Sequence, residues 1–131
     1  MTNDMLSLAK TIRTRAYAPY SKYQVAAVVR GANGTLYGGT NVENIAYPVG
    51  NCAETSALAA MVADGETRIV EALVIGPEGD LCTPCGACRQ RLREFASDNL
   101  PIHIADPSGV KKTITLGELL PLSFGPTMLK K

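Results

Sequence analysis

The apolar positions of this chain follow a helical period in some stretches and run together or alternate in others. The changes of pattern mark the elements. Met5, Leu6, Leu8, Ala9 and Ile12 recur at helical spacing and predict an amphipathic helix over residues 3–17. "AYAP" closes it, because the residue before Pro19 is pushed out of helical geometry. "QVAAVVR" and "TLYGGT" are β-rich runs on either side of the turn "GANG", a hairpin signal. "NVENIAYPVGN" is polar and irregular. In "CAETSALAAMVAD", Ala57, Leu58, Met61 and Val62 form one apolar helical face, with Asn51 placed to cap the start and Gly65 the end. "IVEALVIG" is almost wholly apolar and reads as a strand buried on both faces. A helix from Pro84 to Ala96 follows, with Pro84 in the first helical position and Thr83 as its cap. "IHIAD", the turn "PSG" and "KKTITL" predict two more strands, and "GELLPLSF" a last helical turn and tail. The alternation in the second half predicts one α/β sandwich layered on a mixed sheet.

Composition narrows the class. The chain has 131 residues, 46% of them hydrophobic, which suits a single domain over 1–131 with a real core and no need of disulfide staples. There is no repeat, linker or low-complexity segment. No leader-like segment opens the sequence and no apolar run is long enough for a membrane span, so a cytoplasmic address is expected. In that compartment cysteines stay reduced and serve more often as metal ligands or catalytic groups than in disulfides. A net charge of +1 offers no footprint for nucleic acid or anionic lipid and favours a small partner.

Three of the four cysteines, Cys82, Cys85 and Cys88, fall in "LCTPCGACRQ"; Cys52 lies far upstream. The predicted helices put Cys85 and Cys88 on one face of a first turn, and Cys52 on the first turn of another helix. Helix N-termini favour thiolate, and thiolates converging there suit zinc. Four ligands would close a structural tetrahedron, whereas three would leave a position open for chemistry. An iron–sulfur cluster or four unrelated core cysteines are the other readings. Glu54 tips the balance toward an open site. A carboxylate two residues after Cys52 has no use beside a closed one, yet beside an open one it can move protons.

The blocks "YAPYSKYQVAA", "NVENIAYP", "NCAE", "PCGACRQ" and "ELLPLSFGP" together resemble the small homotetrameric zinc-dependent cytidine deaminases, in register along nearly the whole chain. The resemblance implies a three-layer α/β/α sandwich on a mixed five-stranded sheet. It implies Zn2+ held by Cys52, Cys85 and Cys88, with Cys82 spare and Glu54 as proton shuttle. Asn41 and Glu43 would bind ribose hydroxyls, Tyr23 would pack against the base, and Ala53 would also touch substrate. Tyr47 and Phe124 would be contributed by neighbouring subunits of a homotetramer. The implied reaction is hydrolytic deamination at C4 of cytidine and deoxycytidine, with zinc activating water, in pyrimidine salvage.

The chain departs from the family in places. The residue after the glutamate is most often Arg or Lys in the family and is Thr55 here. A dication with three thiolates is a net anion, and a neighbouring cation would draw charge off the sulfurs. Arg91 is a substitute for that cation or else a solvated surface residue. Ala26 replaces a frequent glycine and Tyr23 a phenylalanine. Without the resemblance, Asn41 and Glu43 read as turn residues, Phe124 as core cover and Tyr47 as interface packing. His103, the only histidine, reads as a strand residue with a local partner. Lys111–Lys112 and the two C-terminal lysines read as solvated. Three rival functions stay open. These are a deaminase of another cytosine nucleoside such as blasticidin S, a non-catalytic four-cysteine zinc module, and a polynucleotide deaminase, the last weakened by the low charge.

Overall fold

A computed structural model describes residues 2–129. Its elements run α1 (Thr2–Arg13), β1 (Ala26–Gly31), β2 (Leu36–Thr40), α2 (Ala53–Ala63), β3 (Ile69–Ile75), α3 (Gly86–Phe95), β4 (Pro101–Asp106), β5 (Gly109–Thr115) and α4 (Leu116–Leu119). The five strands form one sheet in the order β2-β1-β3-β4-β5. Only β3 and β4 are parallel, and α3 makes the crossover between them; the other pairs are antiparallel. The sheet is therefore mixed, as expected.

Alternation on the central strands sorts side chains to two faces. Val28, Leu73, Ile75 and Ala105 pack with Met5 and Ala9 of α1. Val29, Ala72, Val74, Ile102 and Ile104 pack with Ala57, Leu58 and Met61 of α2 and Leu92 of α3. This is the three-layer sandwich, with α1 on one face and α2 and α3 on the other. The near-continuous apolar run of β3 has its cause here, since the middle strand is covered on both sides.

Several boundaries differ from the sequence reading. Helix α1 ends at Arg13 rather than at residue 17. Its last turn unwinds where the Thr14 hydroxyl bonds the Thr11 carbonyl and Arg13 Nε reaches the Gln24 carbonyl. Asn51 does not cap α2: it bridges Val42 in an isolated β-pair, and Cys52 is the N-cap. Gly65 does follow the end of α2, at φ +92, the left-handed conformation it was expected to supply. Pro84 and Thr83 lie ahead of α3 instead of starting it, and Cys85 is the N-cap. Pro84 is a fully buried loop side chain. At α4, Thr115 and Glu118 form a reciprocal capping box.

The pair Gly38–Gly39 in β2 lets two helices close on one edge strand. A Cβ on Gly39 would come within 2.4 Å of the Ala57 backbone nitrogen. Only glycine admits α2 at this distance.

Candidate active site

Two helix starts meet at the same end of the sheet. Cys52 and Cys85 are the N-cap residues of α2 and α3, and Cys88 lies in the first turn of α3. The Cys52 side chain makes no cap bond to α2, and its thiol points at Cys85. The three Sγ atoms lie within 4.8 Å of one another, with Cys52 and Cys85 at 4.0 Å. Tetrahedral zinc with Zn–S bonds of about 2.3 Å separates its sulfurs by about 3.8 Å. The spacing and the soft donor set both fit zinc. Cys82 is not in this group.

The thiols differ in environment. Burial pushes Cys52 up, assisted by the neighbouring Cys85 thiol and the Glu54 charge. Burial also pushes Cys88 well above its ordinary value, again with help from Glu54. Cys85 goes the other way. Burial opposes ionisation there, but the backbone N–H groups of Cys88 and Ala87 and the two neighbouring thiols outweigh it and pull Cys85 down. Those amides belong to the open N-terminus of α3, the expected source of thiolate stabilisation.

Glu54 stands in the first turn of α2, only 4% exposed. Burial raises its carboxyl above the usual range, against bonds from its own backbone N–H and Cys88 and the charge of Arg91. Arg91 Nη1 lies 3.9 Å from Cys88 Sγ. Thr55, next in sequence to Glu54, has a buried hydroxyl with no hydrogen-bond partner.

Two cavities open beside the thiols. The smaller, about 170 Å³, is lined by Val25, Asn41, Cys52, Ala53, Glu54, Cys82, Thr83 and Cys85. The larger, about 470 Å³, is lined by Tyr20, Ser21, Asn41, Val42, Glu43, Asn44, Tyr47, Gly50, Asn51 and Cys52. Asn41 and Cys52 border both, so the thiol-lined pocket and the polar pocket lie side by side.

The sequence candidates fall into two groups. Cys52, Ala53, Glu54 and Cys85 line the small cavity, with Cys88 buried behind, while Asn41, Glu43 and Tyr47 line the large one. Asn41 Nδ2 donates to the Tyr23 carbonyl at 2.8 Å and its Oδ1 accepts from Val25 N at 3.0 Å, which pins the amide. Glu43 accepts from the backbone N–H groups of Tyr20 and Ser21, at 3.0 and 3.1 Å, and from the Ser21 hydroxyl. These bonds hold its carboxyl below the usual range.

Tyr23 and Phe124 line neither cavity. The Tyr23 hydroxyl meets Cys82 and Asp80; burial, with those two charges, pushes it up to about 12. Phe124 is 59% exposed, its carbonyl held by Gln90 Nε2 at 2.7 Å. Tyr47 is 73% exposed and stacks edge-on against Tyr20. Ser21 was not singled out from the sequence, and Thr83 was read only as a helix cap, whereas it lines the small cavity. Ser21 sits in the matched block "YAPYSKYQ", but nothing in its spacing shows that it serves Glu43.

His103 has the local partners expected of it. Nε2 lies 2.6 Å from Glu71 and Nδ1 lies 2.8 Å from the Thr113 hydroxyl. Lys111 reaches Asp106 at 3.9 Å, Lys112 is exposed, and the C-terminal lysines lie outside the described residues.

A three-thiol group with a buried carboxylate at the mouth of a cavity defines a zinc hydrolase site rather than a closed structural one. The comparisons with known proteins make the assignment specific. The family described as "Cytidine and deoxycytidylate deaminase zinc-binding region" matches residues 1–104, and the chain belongs to it. A cytidine deaminase of Sporosarcina psychrophila is 37% identical over 120 residues, 92% of this chain and 88% of that protein. The crystal structure of cytidine deaminase from Burkholderia pseudomallei superposes with a TM-score of 0.88 at 34% identity, covering 95% of this chain and 99% of that one. That from Mycobacterium leprae gives 0.79 at 37% identity, over 92% and 97%. The protein is thus a zinc-dependent enzyme of the deaminase fold. The four-cysteine module is not favoured, because Cys82 stands outside the ligand group. Among the described residues, no helix is long and apolar enough to cross a membrane.

Proposed function

We propose that this protein hydrolyses cytidine and deoxycytidine to uridine and deoxyuridine with release of ammonia, in the cytoplasm and in pyrimidine salvage. The carrying observation is the adjacency of the two cavities, which share Asn41 and Cys52 in their walls. A nucleoside has the same two halves, a flat base to face the thiols and a polyhydroxylated sugar to face the Asn41–Glu43 loop.

Cys52, Cys85 and Cys88 would hold the zinc. When bound, zinc supplies Lewis acidity that makes water a competent nucleophile near neutral pH. Glu54 does the proton work: it takes a proton from the attacking water, delivers one to the ring nitrogen beside C4, and passes another to the departing amine. Its depth keeps bulk water from competing for those protons. Water adds at C4, the C4–N bond breaks, and the balance is nucleoside plus water to keto product plus ammonia.

Glu43 keeps acceptor capacity for a ribose hydroxyl, since a carboxylate has about four lone-pair sites and three are used here. Asn41, its amide fixed by residues 23–25, would present the same edge to every substrate. Ala53 would lie against the base. Tyr23 would pack on the base from beyond Cys82. Tyr47 and Phe124 are exposed and would complete the sites of neighbours in a homotetramer. An apolar groove between α2 and α3, lined by Leu58, Ala59, Val62, Ala63 and Phe95, offers a face for such assembly.

The test is conversion of cytidine followed by ultraviolet absorbance, with Glu54→Ala in parallel. Turnover by the parent and not by the variant is expected. A zinc-loaded, folded parent that leaves cytidine and deoxycytidine untouched but deaminates blasticidin S would overturn the substrate assignment. The shared-site reading is checked by activity across a dilution series with Phe124→Ala alongside, and a fully active monomer would sink it.

A further inference from the structure

Cys88 is the deepest of the three thiols, with no exposed surface, so no solvent molecule can donate a hydrogen bond to its sulfur. A side chain reaches it instead. Cys88 and Arg91 stand three apart on α3 and therefore share a face. Helical side chains lean toward the N-terminus, which carries the Arg91 guanidinium back over Cys88. Nη1 arrives at 3.9 Å from Sγ, within range of an N–H···S bond.

The other arginines of α3 are spent elsewhere. Arg89 donates to the Pro84 and Leu119 carbonyls at 2.8 and 3.0 Å. Arg93 donates to the Ser123 hydroxyl at 2.9 Å and the Ala96 carbonyl at 2.6 Å. Thr55 occupies the position from which α2 could address the thiols, yet its hydroxyl is buried and makes no hydrogen bond. Thr55 and Arg91 line the same groove, and of the two it is Arg91 that brings a polar group to the sulfur.

We propose that Arg91 is the charge-balancing residue of the metal centre, a positioning residue acting through Cys88. This rests on the reading that Cys52, Cys85 and Cys88 hold zinc. Three thiolates overcompensate a dication and leave the centre a net anion. Strong thiolate donation also blunts the metal as a Lewis acid. A guanidinium hydrogen-bonded to one sulfur draws charge from it, which both stabilises the loaded site and restores its electrophilicity. Arg91 is an exposed residue, so solvent screens its charge and the effect is tuning rather than the whole of metal retention.

The experiment reads the metal site directly. Arg91→Met keeps the apolar stem in the groove and removes the guanidinium, and Arg91→Lys keeps a charge without the planar fork. Zinc affinity is measured by competition with a chromophoric chelator, and the thiolate-to-metal charge-transfer band is recorded on cobalt-substituted protein. Circular dichroism verifies the fold of each variant. Arg91→Met should bind zinc roughly tenfold more weakly. Its cobalt band should move to longer wavelength, because a sulfur relieved of its donor gives up charge more easily. Arg91→Lys should lie between parent and Met variant in both readouts. An unmoved band in Arg91→Met overturns the proposal whatever the affinity does, since lost packing alone weakens binding without touching sulfur. A moved band with unchanged affinity overturns it too, since the contact then balances nothing. A parent that takes up no zinc is a separate outcome that overturns the metal assignment itself, and Arg91's role with it.

Discussion

Cys52 and Cys85 lie 4.0 Å apart at sulfur across a separation of 33 residues, and each is the N-cap residue of its own helix, Cys52 without capping it. A capping Ser or Asp at the Cys52 position is worth about 0.5–2 kcal/mol, so α2 starts with a deficit that a bound metal offsets. Cys52→Ser should therefore act in opposite directions in two states. In chelator-treated protein it should be as stable as the parent or more so, by up to about 1 kcal/mol, because serine caps α2. With zinc present the parent should be the more stable, because the variant has lost a ligand. Thermal melts with and without chelator check this; a variant less stable than the parent in both conditions would contradict it.

Glu54→Gln preserves volume and removes the exchangeable charge. Turnover should fall by at least the roughly 10²–10⁴-fold of a positioned acid–base group, with zinc content near that of the parent. KM should change far less than kcat, because the side chain acts on protons in transit rather than on binding. Steady-state kinetics with metal analysis decides it. A loss carried by KM would assign Glu54 to binding instead.

Glu71 lies under α1, where its carboxylate meets His103 Nε2 at 2.6 Å and Arg30 Nε at 3.1 Å, and Arg30 continues to Asp4 at 2.8 Å. Burial alone would raise the Glu71 carboxyl, but the His103 and Arg30 bonds outweigh it and hold it below the ordinary value of 4.5. A depressed folded-state value means that the stabilisation is complete above the unfolded value. It is lost as the pH falls through the folded one. Glu71→Gln should cost about 1.5–3 kcal/mol at pH 7, the range for hydrogen bonds to charged groups. The gap should narrow as the pH drops below 4. Urea titrations of both proteins across that range test the sign; a gap that widens in acid would refute it.

Much of this molecule was legible in its sequence because the signals were local. The two-sided burial of β3 is written in "IVEALVIG", and the hairpin of β1 and β2 in "GANG". The grouping of Cys52, Cys85 and Cys88 was legible because their Cys-Ala-Glu and Pro-Cys-x-x-Cys motifs carry the resemblance to the deaminase family and both fall at helix starts. What was misplaced depended on distant contacts. Asn51 looked like a cap until its backbone paired with Val42, and Thr83–Pro84 looked like a helix start until Pro84 was drawn into the core. Arg91 could be flagged as a cation near the site, but whether it turns to Cys88 depends on the rotamer and on the groove beside Thr55. The Ser21–Glu43 bond joins residues 22 apart and leaves no trace in either segment alone.

The two glycines of β2 give a last expectation, because they meet different neighbours. A Cβ on Gly38 would meet the Ile12 Cδ1 at 2.7 Å, the far end of a flexible side chain that can swing away. A Cβ on Gly39 would meet the Ala57 nitrogen at 2.4 Å and Ser56 Cβ and carbonyl carbon at 2.6 and 2.7 Å. Backbone cannot rotate aside, so Gly39→Ala has to push the first half of α2 off the sheet, and Cys52 and Glu54 ride on that half. Overpacking of this kind costs about 1–3 kcal/mol, and here it also opens the spacing of the thiols. Gly39→Ala should lose more stability than Gly38→Ala and should also bind zinc more weakly, whereas Gly38→Ala should keep parental zinc affinity. Melting temperatures and chelator competition on the two variants test this, and equal effects, or the reverse order, would show that α2 is not held at its height by Gly39.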